Sequence, residues 1–327
     1  MTGRNALVTG AGGFVGGHLA ARLVADGARV RAFVRYNSRG DRGALEWLDP
    51  DVLSEIEVVM GDLRDSESVA RAVRGSELAF HLGAQVAIPY SYLNARDFFE
   101  TNVLGALNVA EAALTHAVAH VVHTSSSEVY GTAQSVPIRE DHPLGAQSPY
   151  AASKVGADKL METFHRAHGL PVTVLRPFNT FGPHQSARAI VPTIISQALA
   201  SDTLHLGALT PRRDLTYVSD TVAGFVAAAG SERTVGRTFQ LGSGVDVSVG
   251  EIVELVGGLL GRSLHVVVDE RRLRPPASEV DRLVSDPALA LELCGWRARV
   301  GLEEGLGRTI DWVRSHPHVY RPAEYAV

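Results

Sequence analysis

The sequence predicts an α/β protein that consists of a doubly wound parallel sheet and a smaller α/β lobe on its C-terminal side. Six short apolar runs alternate with helical segments up to residue 175, and a glycine-rich turn follows the first run. Beyond residue 175 the elements are shorter and are interrupted by prolines. Strand–helix alternation of this kind gives parallel strands joined by right-handed crossovers. We therefore predict a first domain over residues 1–175 and a second lobe over residues 176–327, with the chain crossing back between them.

The six runs have the length that is typical of buried strands. They span Asn5–Thr9, Arg29–Val34, Ile56–Met60, Leu78–Leu82, Val121–Thr124 and Val172–Leu175. Helical spacing of apolar residues separates them and is clearest over Phe14–Asp26, Ser66–Arg74, Phe98–Ala117 and Tyr150–His168. In the second lobe we expect helices over Ser248–Leu260 and Pro287–Leu293 and a strand over Leu264–Val268.

Composition and charge narrow the class of protein. The chain has 327 residues, of which 45% are hydrophobic and 20% are charged, as in a globular protein with a full core. The formal net charge of −5 gives no electrostatic reason to expect binding to nucleic acid or to an acidic membrane. The single cysteine fits a reducing compartment, and no apolar run approaches the roughly 18 residues of a membrane-spanning helix. We expect a cytoplasmic protein without a signal peptide.

The turn after the first strand has the glycine spacing of a dinucleotide-binding loop. Gly10, Gly13 and Gly16 lie between a strand and a helix, where they permit a tight turn, close approach of a pyrophosphate and close helix packing. The helix N-terminus adds free amides and a positive dipole. Phe14 and Val15 complete the predicted contacts of this loop. The first domain is therefore expected to be of Rossmann type and to bind NAD or NADP.

Other predicted cofactor contacts follow the next strands. The second strand ends at Arg35 rather than at the acidic residue that usually bonds the adenosine ribose. A cation suits a 2′-phosphate and favours NADP, although the same arginine is compatible with NAD if it lies in solvent. Asp62 and Leu63 follow the third strand and are expected near the adenine. Leu82 and Ala84 follow the fourth strand and are expected beneath the cofactor.

A tyrosine and a lysine four residues apart indicate acid–base chemistry. Tyr150 and Lys154 leave the same face of a helix, and Ser126 precedes them after the fifth strand. An ammonium close to the ring is expected to lower the pKa of the phenol. The phenolate can then accept a proton from a sugar hydroxyl while a hydride leaves the same carbon for the nicotinamide.

The combination of TGxxGxxG, YxxxK and RPFNTFGP resembles the extended short-chain dehydrogenases/reductases, and specifically the NAD(P)-dependent nucleotide-sugar epimerases and dehydratases. Further segments look most like the sugar-nucleotide 4,6-dehydratases of legionaminic-acid-type pathways, and more distantly like GDP-mannose 4,6-dehydratases. These segments are AIPYSY, HTSSSEVYGTAQ, QSPYAASKVGAD, RPFNTFGPHQSARAIVPTII and RLRPPASEV. The resemblance covers essentially the whole chain.

The resemblance implies catalytic roles for five residues. Tyr150 and Lys154 match the superfamily pair, and Ser126 falls where dehydratases have the hydroxyl that bonds the sugar's O4. Ser127 falls where one branch of dehydratases has an acidic residue, and Glu128 falls on the dehydratase base. The implied reaction is oxidation at C4, loss of water across C5 and C6, and return of the hydride to C6. Because no net redox change occurs, the cofactor is expected to stay tightly bound.

The resemblance also implies substrate contacts and an assembly. Asn179, Arg188, Arg213 and Arg274 match or lie near positions that hold the nucleotide sugar, and arginine suits a diphosphate. Related proteins pair two helices from each subunit, which implies a homodimer through the segments Phe98–Ala117 and Tyr150–His168. The histidines show no metal-ligand spacing, so no metal is expected.

Alternative functions remain open at this stage. An NDP-sugar 4-epimerase would use the same Tyr150 and return the hydride to C4, with Glu128 as a structural carboxylate. A UDP-glucuronate decarboxylase can carry the same Ser-Glu pair. A non-catalytic dinucleotide sensor is disfavoured by the complete set of Ser126, Tyr150 and Lys154. The leading hypothesis is a 4,6-dehydratase that acts on a nucleotide-linked N-acetylhexosamine.

Overall fold

A seven-stranded parallel sheet forms the centre of the computed structural model, which describes residues 1–322 of the chain. Its strands are β1 (Asn5–Thr9), β2 (Arg29–Arg35), β3 (Ile56–Gly61), β4 (Leu78–His81), β5 (His120–Thr124), β6 (Val172–Pro177) and β10 (Thr238–Leu241). The strand order is β10-β6-β5-β4-β1-β2-β3, and every neighbouring pair is parallel. The predicted α/β class and the six N-terminal strands are confirmed, with bounds that differ by one or two residues.

Helices cover both faces of this sheet, so its central strands are buried along almost their whole length. On one face α1 (Phe14–Ala25) packs against α9 (Val218–Ala229). On the other face α3 (Ser66–Val73), α6 (Gly105–Thr115) and α7 (Pro149–His168) pack side by side. Short helices α2 (Pro50–Ser54), α4 (Ile88–Leu93) and α5 (Ala95–Phe99) complete this domain.

The segment Phe98–Ala117, predicted as one helix, is helical but is not a regular α-helix throughout. The segment consists of α5, a π-helical turn over Glu100–Leu104, and α6. The wider turn inserts an extra residue into the helix, and such turns often occur at functional sites. Here it coincides with Asn102, whose side chain is buried beneath the loop that follows β4.

The second lobe contains two small sheets. The first has the order β11-β9-β13 with β7 paired to β9, and the second pairs β8 with β12. The strands are β7 (Asn179–Phe181), β8 (Thr203–Leu206), β9 (Arg212–Tyr217), β11 (Asp246–Ser248), β12 (His265–Val268) and β13 (Arg282–Leu283). The helices are α8 (Ile190–Ala200), α10 (Val249–Leu260), α11 (Ala288–Cys294) and α12 (Leu302–Ser315).

The chain returns to the large sheet after entering the second lobe. Strand β10 pairs with β6 in parallel, with Thr238 opposite Val174, and α9 lies against α1. The loops after β1 and β4 diverge at the carboxyl edge of the sheet, where open α/β sheets bind ligands. None of the helices within residues 1–322 has both the length and the apolar character needed to cross a bilayer.

Candidate active site

The glycine loop lies at the carboxyl end of β1 and is shaped by close backbone approaches. Gly10 has φ +71°, and a Cβ on it would lie 2.7 Å from the Cα of Gly83 in the loop after β4. A Cβ on Gly16 would lie 2.2 Å from the carbonyl oxygen of Gly10. Gly13 begins α1, and no side chain caps that helix N-terminus. The loop therefore leaves helix amides available for a phosphate, which fits a dinucleotide.

A pocket at the ends of β1 to β4 brings together five of the predicted cofactor contacts. Those in its lining are Gly10, Arg35, Asp62, Leu63 and Ala84. The Asp62 carboxylate is 2.6 Å from the guanidinium of Arg64, and the hydrogen bond with Arg64 lowers the pKa of Asp62. Arg35 is exposed at the rim of the pocket.

The remaining predicted cofactor contacts flank this pocket. Phe14 and Val15 are half-buried in the first turn of α1, directly after the glycine loop. Leu82 is half-buried after β4 and packs against the core beneath the sheet. Together these positions follow the edge of the sheet along which an extended dinucleotide lies.

Tyr150 and Lys154 lie one turn apart near the start of α7. Ser148 caps this helix by accepting a hydrogen bond from the backbone NH of Ala151 at 3.1 Å. The Tyr150 ring is 8% exposed and is hydrogen-bonded to the Ser126 side chain. The Lys154 ammonium donates to the carbonyl oxygen of Thr124 at the end of β5, with 2.5 Å between the two atoms. The structure thus brings the predicted Ser–Tyr–Lys set together.

The electrostatics of this set differ from the sequence argument. Burial raises the pKa of Tyr150 to about 12, although the hydrogen bond from Ser126 opposes that rise. Burial also lowers the pKa of Lys154 to about 8. The Lys154 ammonium bonds the Thr124 carbonyl at the end of β5 and so links that strand to the helix that carries Tyr150.

Glu128 lies beside Tyr150 in a short 3₁₀ turn over Ser127–Tyr130. Ser126 begins this turn and accepts a hydrogen bond from the Glu128 backbone NH at 3.2 Å. Both Ser127 and Glu128 are buried, and the negative charge of Glu128 contributes to the raised pKa of Tyr150. No group within residues 1–322 donates a hydrogen bond to the Glu128 carboxylate, and a carboxylate in such a place can take part in proton transfer.

Two of the predicted substrate arginines meet at Glu279, and one of them also reaches the Glu128 carboxylate. Arg274 is 3.8 Å from Glu128 and 3.5 Å from Glu279, and Arg213 is 3.4 Å from the same oxygen of Glu279. Burial lowers the pKa of Arg213. Two neighbouring guanidinium groups, one of them largely buried, make a site that suits a diphosphate.

The other two substrate candidates are placed differently. The side-chain oxygen of Asn179 is buried and has no hydrogen-bond partner within residues 1–322, so it is available to a ligand. Arg188 is exposed on the loop before α8, and no ion pair among the described residues joins it to the other arginines. The structure therefore does not bring Arg188 into the arginine cluster.

A buried asparagine that was not predicted from the sequence joins the two halves of the site. Asn102 accepts from the backbone NH of Gln85 at 2.7 Å and donates to the Gln85 carbonyl at 3.0 Å. It also donates to the hydroxyl of Ser153 on α7 at 2.9 Å. The only signal in the sequence is a polar residue directly before the apolar stretch that begins at Val103, and the position of its side chain depends on the π-helical turn. Asn102 fixes the loop after β4 against the helix that carries Tyr150.

Metal-ligating residues do not cluster in the part of the chain that the structure describes. No group of three or more histidine, cysteine, aspartate or glutamate side chains within residues 1–322 is arranged to hold a metal ion. The groups that this site presents are the Tyr150 hydroxyl, the Glu128 carboxylate and the guanidinium groups of Arg213 and Arg274.

Comparison with known proteins gives consistent matches over nearly the full length. The family model described as GDP-mannose 4,6 dehydratase matches residues 7–309. A UDP-glucose 4-epimerase of Mycolicibacterium smegmatis is 34% identical over 94% of this chain and 98% of its own length. A dTDP-glucose 4,6-dehydratase of Streptomyces antibioticus is 31% identical over 97% of this chain and 95% of its own.

A solved structure shows the same architecture. The dTDP-glucose 4,6-dehydratase DesIV of Streptomyces venezuelae, solved with NAD bound, superposes with a TM-score of 0.87. The two chains are 30% identical, and the superposition covers 98% of this chain and 100% of the other.

Proposed function

The chain belongs to the family that the GDP-mannose 4,6-dehydratase model describes, the nucleotide-sugar dehydratases and epimerases of the extended short-chain dehydrogenases/reductases, and on this premise we propose that it is an NAD(P)-dependent nucleotide-sugar 4,6-dehydratase. The resemblance drawn from the sequence motifs is thereby confirmed at the level of the extended family. The observation that carries the choice of dehydratase is the buried Glu128 carboxylate beside Tyr150. Elimination of water needs a base at C5 in addition to the group that acts on O4.

The residues of the chain account for the proton transfers of this reaction. Tyr150, hydrogen-bonded to Ser126, takes the proton of the C4 hydroxyl as C4 becomes a ketone. The ketone acidifies the C5 proton, which Glu128 removes. That proton leaves with the C6 hydroxyl as water. Ser127 lies next to Glu128 in the same turn, beside this step. A bound nicotinamide dinucleotide supplies the oxidation at C4 and the matching reduction at C6. The proton that C5 finally gains is balanced by the one that Tyr150 took from O4, and it reaches C5 through Glu128.

The second lobe supplies the groups that hold the substrate. Arg213 and Arg274 bind the diphosphate, since the buried Arg274 Nη1 has no hydrogen-bond partner within residues 1–322. Glu279 keeps the two guanidinium groups together and offsets part of their charge. The side-chain oxygen of Asn179, which has no partner within residues 1–322, accepts a hydrogen bond from the sugar or the nucleotide. We propose that residues 176–327 form mainly the substrate-binding lobe, with the chain crossing back to the large sheet at β10.

The identity of the products tests this proposal. The protein is incubated with UDP-, GDP-, dTDP- and CDP-linked hexoses, N-acetylhexosamines and glucuronate, and the products are weighed by mass spectrometry. We expect loss of one water from a hexose or N-acetylhexosamine nucleotide and no net consumption of cofactor. Loss of carbon dioxide from the glucuronate would instead establish a decarboxylase.

A 4-epimerase is the second candidate, because the M. smegmatis relative that is 34% identical is a UDP-glucose 4-epimerase. This reaction needs Tyr150 and the cofactor but no base at C5. It would yield an isomer of unchanged mass, so the same assay distinguishes the two reactions.

The cofactor preference depends on Arg35. We expect Arg35→Leu to weaken NADP binding by about tenfold, because a guanidinium at the pocket rim stabilises a 2′-phosphate. NAD binding is expected to change far less. Titration of cofactor-stripped protein by calorimetry measures both dissociation constants. Arg29→Leu is the matched control, since Arg29 is exposed at the opposite end of the same strand. Equal losses of NAD and NADP affinity would contradict a 2′-phosphate contact.

The partner that we propose is a second copy of the chain. Three exposed apolar side chains lie on the short helices and the π-helical turn beside α7: Leu93, Phe99 and Leu104, with exposed fractions of 75%, 44% and 50%. Exposed apolar side chains on neighbouring elements are often found at interfaces. Phe99 and Leu104 lie in the segment Phe98–Ala117, which the resemblance assigns to a dimer together with Tyr150–His168.

Disrupting this surface is expected to give monomers. Leu104→Asp places a charge in the proposed interface, which desolvation makes costly. Size-exclusion chromatography with light scattering should then show half of the wild-type mass. Leu291→Asp is the control, because Leu291 is 53% exposed on α11 and should not change the mass. A wild-type protein that is monomeric at micromolar concentration would contradict the proposed dimer.

A further inference from the structure

A fully buried carboxylate that the proposed mechanism does not use lies one helical turn beyond Lys154. Asp158 is 0% exposed on α7, beneath the catalytic residues. Its Oδ2 accepts hydrogen bonds from the Ser125 hydroxyl at 2.7 Å and from Arg176 at 3.2 and 3.3 Å. Its Oδ1 is 3.5 Å from Nε2 of His123. The ion pair with Arg176 offsets the cost of burying this charge.

Asp158 and Lys154 together fasten α7 to the end of β5. Lys154 donates to the carbonyl of Thr124, and the next residue, Ser125, donates to Asp158. Ser126 follows directly and is the residue that hydrogen-bonds Tyr150. Two side chains one turn apart therefore hold two successive strand residues. The relative position of Ser126 and Tyr150 depends on this pair of contacts.

The charge of Asp158 also acts on Lys154. Burial lowers the pKa of Lys154, and the Asp158 carboxylate raises it. Burial lowers the pKa of both His81 and His123, so these rings are neutral near neutral pH. Three other titratable or charged groups lie around Lys154 and Asp158. Tyr150 is on the same helix, and Glu128 and Arg176 are on neighbouring elements. Asp158 is the carboxylate that favours the ammonium form of Lys154.

We propose that Asp158 is a positioning residue for the reaction, which locks the end of β5 onto α7 and keeps Lys154 charged. This inference rests on the proposed chemistry at Tyr150 but not on the choice between dehydration and epimerisation. Asp158 acts through Lys154 and Ser126 and does not itself contact the sugar. Loss of its charge removes stabilisation of the ammonium, so Lys154 loses its proton at a lower pH. The alkaline limb of the activity profile must then move to lower pH.

The pH dependence of kcat/KM for Asp158→Asn tests the proposal. Asparagine has nearly the same shape and can still accept from Ser125, and thermal unfolding confirms that the variant is folded. We expect the alkaline limb to fall by about one pH unit, equivalent to a tenfold loss at pH values above the shifted limb. Asp158→Glu keeps the charge and should restore the position of the limb. A folded Asn variant with an unmoved limb, or with one at higher pH, would overturn the proposal.

A milder variant tests the contact with β5 separately, and it remains informative if Asp158→Asn does not fold. Ser125→Ala removes the hydrogen bond to Asp158 and keeps the carboxylate charge. We expect kcat to fall several-fold, with KM and the alkaline limb unchanged. An unchanged kcat would show that the contact does not position Ser126. If the wild-type protein epimerises rather than dehydrates, the same limbs are measured on epimerisation, so the failure of the proposed function is distinguishable.

Discussion

Replacement of Tyr150 by phenylalanine is expected to reduce turnover of every sugar nucleotide by about 10³-fold. The substitution removes only the hydroxyl that bonds Ser126 and accepts the proton of O4. The ring packs edge-on against Phe98 with 6.2 Å between centroids, and phenylalanine keeps that contact. The loss should therefore appear in kcat rather than in stability. Product mass spectrometry and thermal unfolding measure the two effects.

A matched tyrosine serves as the control for this variant. Tyr320 is buried in the second lobe, and its hydroxyl donates to the carbonyl of Gln185 at 3.0 Å. Tyr320→Phe should lower the free energy of unfolding by about 1 kcal/mol and leave kcat unchanged. Undiminished turnover by folded Tyr150→Phe protein would exclude the phenol as the catalytic base, whichever reaction the protein performs.

The second large effect is expected at Glu128. Glu128→Gln keeps the size of the side chain but removes the base that takes the C5 proton, so dehydration should fall by about 10²- to 10⁴-fold. Oxidation at C4 needs only Tyr150 and its neighbours. The variant should thus still reduce its cofactor on mixing with substrate. A rise in the absorbance of the reduced nicotinamide during a single turnover would show this. Exchange of the C5 hydrogen with deuterated solvent should be lost in parallel.

This variant also separates the two candidate functions. An epimerase should retain its activity in Glu128→Gln protein, since inversion at C4 uses no base at C5. Glu279→Gln is the useful comparison, because Glu279 contacts both substrate arginines and not the reacting carbons. It should raise KM more than it lowers kcat. Full dehydration by Glu128→Gln protein would show that another group removes the C5 proton.

The parts of the structure that the sequence predicted are those that local patterns determine. Strand β1, the glycine loop and α1 follow from a short apolar run, from glycines with steric reasons to be glycine, and from apolar residues at helical spacing. The pairing of Tyr150 with Lys154 follows from helical geometry alone. Their meeting with Ser126 follows from the rule that parallel strands end at one edge of the sheet.

The features that the sequence did not reveal depend on long-range contacts. The π-helical turn over Glu100–Leu104 is invisible in the apolar spacing, because one inserted residue is absorbed within an otherwise regular helix. Helix α8 was not predicted, since it is apolar on most sides and carries Pro192 in its first turn. The raised pKa of Tyr150 results from burial by distant segments, which opposite-charge reasoning on two neighbouring residues does not include.

The position of β10 at the edge of the large sheet has a consequence for biosynthesis. Strand β6 has an open hydrogen-bonding side until residues 238–241 leave the ribosome and pair with it. Unpaired strand edges promote association with other chains, so the nascent protein passes through a stage at which it is prone to aggregation. A fragment that stops at residue 175 should for this reason be recovered in inclusion bodies, whereas one extended past α9 and β10 gains the segment that closes the edge.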